Sequence, residues 1–145
     1  MGTKETAQAF INAWQSGDPA EVAAVCADNF TFSGAVPQAL DVQAAGGLVA
    51  IMKNAFPDIQ YHTRITHIEG DVVHVVNQVT GTHTGDLDLT PMGLGVIPAT
   101  RRTFSLPEEL GRITIAGDKV VNFHVDAPSN GGLPGILAQI GVTMP

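Results

Sequence analysis

The residues in this sequence whose types and spacing suit proton transfer are His124 with Asp126, and Glu109. His124 and Asp126 stand two apart in NFHVDAPSNGG, residues 122–132. On a strand such a pair shares a face, so the carboxylate can orient the imidazole as a general base. An exposed or interfacial polar pair is the alternative. Glu109 lies in RRTFSLPEELGRITIAG, where alternation groups it with Gly111, Ile113 and Ile115 and puts Leu110, Arg112 and Thr114 on the other side. Apolar neighbours penalise an ionised carboxylate and raise its pKa, which tunes it for taking and returning a proton near neutrality. A salt bridge to an arginine, or a place in a loop, is the alternative for Glu109.

Groups that orient a carbonyl ligand come from the same test. In DVVHVVNQVTGTHTG one side carries Val73, Val75, Asn77, Val79, Gly81 and His83, the other Val72, His74, Val76, Gln78, Thr80 and Thr82. Asn77 and His83 are therefore polar groups on an apolar face and need hydrogen-bond partners or a ligand. Trp14, Tyr61 and Phe123 are candidate cavity-lining aromatics, with plain core as the alternative. In DKVVNFHVDAP, Val121, Phe123 and Val125 form the apolar side and Asn122, His124 and Asp126 the other, so by pattern His124 and Asp126 face away from the core. No metal site is expected: among His62, His67, His74 and His124, the first two differ in strand parity and no carboxylate completes a known spacing. The GLG at 93–95 lacks the strand-to-helix context of a phosphate loop.

The elements that position these residues can be read from periodicity. Ala7, Phe10, Ile11 and Trp14 recur at helical steps from Thr3 to Ser16, and Gly17 ends that helix. Asp18 is an N-cap and Pro19 a first helical residue for a second helix, in which Val22, Val25 and Cys26 share a side. NFTFSGA is a short strand, and Leu48, Ile51, Met52 and Ala55 mark a helix over Val42 to Ala55, weakened by Gly46 and Gly47. After Pro57 the period becomes two, with turns at Glu69 to Asp71 and Ala116 to Lys119. GDLDLTPMGLGVIPAT is long for a hairpin connection and reads as a flap; a last helix runs from Leu133 to Ile140. Helices first and a largely antiparallel sheet second is the α+β pattern.

Bulk composition narrows the function classes. The 145 residues suit one domain, 1–145, and 44% are hydrophobic against 14% charged, a sparsely charged surface that oligomerisation would partly hide. A net charge of −7, with Arg101 and Arg102 the only basic doublet, argues against nucleic acid and anionic membranes as partners. Cys26 is alone, which leaves no disulfide framework and reads as a buried thiol. With neither a leader-like start nor a long apolar run, a soluble cytoplasmic protein is expected.

FPDI at 56–59, GTHTG at 81–85, IPATRR at 97–102, the AGDKVVNFHV hairpin and GILAQIGV at 135–142, in that order, resemble the SnoaL-like polyketide cyclases, or ester cyclases, of the nuclear transport factor 2-like superfold. The resemblance implies a cone-shaped, strongly curved antiparallel sheet wrapped round the helices, and a deep apolar pocket between them. It also implies a homodimer, and an acid/base aldol cyclisation or isomerisation of a hydrophobic, carbonyl-bearing small molecule without metal or organic cofactor. The family's catalytic aspartate falls on Val125 and its helper on Gly111, so both positions lack a functional side chain here. Asp126 is one residue late, which on a strand means the opposite face unless a bulge near Pro128 turns it. A non-catalytic small-molecule-binding protein of the same fold is therefore the second reading.

Overall fold

The computed structural model describes residues 2–142; Met1 and residues 143–145, the ends of the expected 1–145 domain, lie outside the described residues. Helix α1 (Thr3–Ser16) buries Ala7, Phe10, Ala13 and Trp14 and stops at Gly17, whose φ of 73° suits glycine. Helix α2 (Pro19–Val25) begins with Asp18 accepting from the Ala20 N–H at 2.9 Å. Helix α3 (Val42–Ala55) is capped by Asp41, which accepts from the Ala44 N–H at 2.8 Å. A Cβ on Gly46 would sit 3.1 Å from the Pro19 Cβ, so the helical weakness of that glycine lets α2 and α3 approach closely. Helix α4 (Gly132–Gln139) is the last helix and is followed by a turn at 140–141.

Strands β1 (Cys26–Ser33), β2 (Leu40–Asp41), β3 (Arg64–Glu69), β4 (Val72–Asn77), β5 (Thr80–Thr82), β6 (Leu87–Asp88), β7 (Val96–Ile97), β8 (Thr103–Ser105), β9 (Glu109–Ala116) and β10 (Lys119–Asp126) complete the α+β architecture. The main curved sheet has the order β2-β1-β10-β9-β4-β3, antiparallel except for the parallel β1–β10 pair. β5 pairs with β8, and β6 with β7. Phe10 and Trp14 of α1 pack on Phe30, Phe32 and Phe123 of β1 and β10 with ring centroids 4.8 to 5.8 Å apart. This aromatic layer holds the helices against the inner face of the sheet.

Pattern and structure differ at a few points. Cys26 starts β1 rather than ending α2; it is buried, and burial pushes its thiol up to about 12. The inward residue early in β10 is Val120, not Val121, because a bulge between Val120 and Asn122 shifts the phase by one before Phe123 and Val125 resume it. The expected flap at 85–100 instead forms a small hairpin, β6–β7, joined by a turn of 3-10 helix, Thr90–Met92. Its Leu87 and Leu89 are fully buried, with β6 packed on α3, so it belongs to the core wall. Among the described residues no helix is long and apolar enough to cross a membrane.

Candidate active site

The inner face of β4 and β9, closed by α1, α3 and α4, bounds a cavity of about 70 Å³ lined by Trp14, Leu48, Met52, Tyr61, Val79, Leu106, Phe123, Val125 and Ile136 among others. Thr63, Asn77 and Glu109 are the polar side chains set into this apolar wall besides the Tyr61 hydroxyl. An apolar cavity of about 150 Å³ accommodates benzene. A ring-bearing ligand therefore requires these side chains to move apart.

Glu109 is only 2% exposed. The phase slips by one at Pro107, between buried Leu106 and buried Glu109, and the strand then alternates regularly, with Glu109, Gly111, Ile113 and Ile115 all buried. The Gly132 N–H, at the start of α4, donates to Glu109 Oε2 at 2.8 Å, and a Cβ on Gly131 would come 2.5 Å from the same oxygen. The helix N-terminus favours the carboxylate, but loss of hydration outweighs it: burial raises the Glu109 pKa and the Gly132 bond offsets that only in part. Glu109 Oε1 has no hydrogen-bond partner among the described residues.

Asn77 pairs directly with Glu109 across β4 and β9, which brings their side chains to neighbouring positions on one face. The Thr63 hydroxyl bonds the Asn77 carboxamide at 2.7 Å; the other arm of the amide has no partner among the described residues. Tyr61 is placed by Gln15 of α1, which accepts from the Tyr61 N–H at 3.0 Å and donates to the Ile59 carbonyl at 2.8 Å. Burial raises the pKa of the Tyr61 phenol, so it stays a neutral hydroxyl able to donate. Thr63 and Gly132 were not singled out from sequence. Thr63 continues the alternation of Tyr61 and Ile65, a readable signal, whereas a backbone N–H leaves none.

The remaining candidates lie elsewhere. Val125 and Gly111 are register partners on the inner face, and a Cβ on Gly111 would sit 3.1 Å from Val75 and 3.3 Å from Phe123; neither supplies a proton-transfer group. His83 is fully buried but does not line the cavity: its Nδ1 accepts from the Thr100 N–H at 3.1 Å and lies 2.9 Å from the Thr100 hydroxyl. With backbone bonds to Arg101 and Arg102, it fastens the IPATRR segment. Burial lowers its pKa.

His124 and Asp126 are on the outer face of the sheet. Asp126 pairs with exposed Leu110, and the bulge that does occur in β10 is at Val121, too early to turn residue 126 inward. There the pair is real: His124 Nε2 lies 3.0 Å from Asp126 Oδ1, His124 Nδ1 lies 2.8 Å from Ser33 Oγ, and Arg112 bonds Asp126 Oδ2 at 3.0 Å. The chain of contacts satisfies the polar groups of β1, β9 and β10 on the surface away from the cavity. Sequence spacing also set aside His67 and His74, yet the structure places both against Glu69.

A search of curated proteins finds no match. Among solved structures, the chain is similar to a candidate SnoaL-like polyketide cyclase from Jannaschia sp. CCS1, with TM-score 0.73, 17% identity and coverage of 98% of this chain and 93% of the other. It is similar to IdmH, a candidate polyketide cyclase from Streptomyces antibioticus, with TM-score 0.70, 21% identity and coverage of 98% and 100%. It is also similar to a protein of ketosteroid isomerase-like fold from Catenulispora acidiphila, solved with trimethylamine, with TM-score 0.66, 17% identity and coverage of 96% and 94%. At these identities the likeness establishes the fold. The model of the SnoaL-like domain matches residues 7–123, most of the chain, and this protein belongs to that family.

Proposed function

We propose that this protein is an acid/base enzyme of the cyclase or isomerase type, acting in the inner cavity on a hydrophobic small molecule that bears a carbonyl group. The observation that carries the reading is Glu109: a carboxyl group buried in an apolar wall, held through one oxygen by Gly132, with its pKa raised. Ionised Glu109 takes a proton from the carbon next to the carbonyl. The free arm of Asn77 and the Tyr61 hydroxyl hydrogen-bond the oxygen on which charge develops. Protonated Glu109 then returns the proton, either to another carbon of the same molecule or to the alkoxide formed when the enolate attacks a second carbonyl. The apolar lining keeps water from the enolate.

A second reading is favoured by one observation. The positions that the family resemblance makes catalytic are Val125 and Gly111, so the same cavity suits a binding protein that sequesters an apolar ligand. The two readings separate in deuterated water. With a panel of cyclic ketones and 1,3-dicarbonyl esters, an enzyme incorporates deuterium next to the carbonyl and Glu109→Gln loses at least about 100-fold of the rate, the usual scale for a positioned acid/base group. Ligand-dependent stabilisation without incorporation would favour the binding protein.

A further inference from the structure

The hairpin β3–β4, at the far edge of the sheet from β2, brings together imidazole and carboxylate groups that play no part in the inner cavity. His67 and His74 are cross-strand partners with rings stacked at 4.1 Å and 6°. His67 Nε2 lies 3.1 Å and His74 Nε2 2.8 Å from the same Oε1 of Glu69, and the ligand atoms all lie within 4.8 Å of one another.

This convergence depends on a bulge. Arg64 and Ile65 pair with Val76 and Val75, but the register slips before His67, so His67 faces His74 and Ile68 faces Val73. Continued without the slip, the pairing would set Thr66 opposite His74 and turn His67 to the inner face, away from Glu69's partners. The extra residue at Thr66 re-aims His67 outward, and Glu69, two residues on, shares that side. Thr66 also supports the cluster: its hydroxyl donates to the His74 carbonyl at 3.2 Å and stands 3.2 Å from His67 Nδ1.

We infer that His67, His74 and Glu69 form a surface site for a borderline divalent transition-metal ion of the zinc or copper class. Two imidazole nitrogens and one carboxylate oxygen are the donors such ions prefer, and hard ions such as magnesium do not. Tetrahedral bonds of about 2.0–2.1 Å put ligand atoms about 3.3 Å apart, a spacing reached here by small side-chain rotations. Each ring then binds through unprotonated Nε2 with its proton on Nδ1, and for His67 that proton falls to the Thr66 hydroxyl as acceptor. The side chains of His67, Glu69 and His74 are 56%, 66% and 26% exposed, so an ion reaches the site directly and keeps a position for water. Arg112, opposite His74 on β9, directs its guanidinium to Asp126 at 3.0 Å and not to this cluster.

Calorimetric titration of the metal-stripped full chain with zinc chloride tests the site. One ion per chain is expected, with affinity reduced at least about tenfold in His67→Ala and in His74→Ala, and unchanged in His124→Ala. Cu²⁺ should broaden the NMR ring signals of His67 and His74 before those of His62. Absence of zinc uptake, uptake untouched by both alanine variants, or uptake lost with His124→Ala would overturn the inference.

Discussion

Glu109 couples the stability of the chain to pH. Its native pKa is raised by burial, so between the ordinary carboxylate range and the raised value the native chain holds a proton that the unfolded chain has lost. Stability is fully present below that window and falls as pH rises through it. Glu109→Gln keeps an acceptor for the Gly132 N–H and removes the ionisable group. Thermal unfolding should therefore show the variant more stable than the parent at pH 7 and little different at pH 4, while its proton-transfer activity is lost. A variant less stable at pH 7 would mean that the ionised carboxylate is better solvated than its surroundings imply. His83 has the opposite sign: its lowered pKa makes the native chain refuse a proton that the unfolded chain accepts, so acidification below the ordinary histidine range destabilises through it. An NMR titration should find its imidazole taking up a proton only below the ordinary histidine range. Phe123, in edge-to-face contact with both Phe10 and Trp14, is both core and cavity wall, and Phe123→Ala should cost about 3–5 kcal/mol in urea unfolding.

At the scale of elements, what was legible in the sequence followed from short-range periodicity. Ala7, Phe10 and Trp14 fix the buried face of α1, Asp18 caps α2, and the alternation through Val73, Val75 and Asn77 and through Glu109, Gly111 and Ile113 gives the inner face of the sheet. That alternation alone orients Glu109 inward and His124 with Asp126 outward. The bulges at Thr66 and Val121 were not legible, because an extra residue is defined by the partner strand and not by its own sequence. Cys26 was misplaced for a related reason: its apolar character fits the end of α2 and the start of β1 equally well. The 85–100 segment looked like a flap because its Gly and Pro content dominates, yet buried Leu87 and Leu89 anchor it. A further prediction belongs to the β1 end, where Gly34 has φ of 95° and a Cβ there would run into the Val125 carbonyl. Gly34→Ala should destabilise by about 2 kcal/mol or more, read from the urea midpoint; an unchanged midpoint would show that the β1–β10 junction relaxes freely.

At the scale of the whole molecule, the sheet carries different chemistry on its two faces. Inside, Asn77 and Glu109 sit in an apolar wall under the helices; outside, a polar row runs His67, His74, Arg112, His124 and Ser33 across neighbouring strands. We propose, from the sparse charge and exposed Leu110, that the outer face around Leu110, at the opposite end of β4 from the β3–β4 turn, joins two copies and leaves the His67, Glu69 and His74 cluster open. Light scattering should then give about twice 15.1 kDa, and Leu110→Asp should return the monomer mass. The central claim concerns the inner face, and the measurement that tests it most directly is deuterium incorporation into a carbonyl substrate by Glu109→Gln and Asp126→Asn side by side. The buried-carboxylate account predicts incorporation lost in Glu109→Gln and kept in Asp126→Asn; the reverse pattern would place the chemistry on the outer face and contradict it.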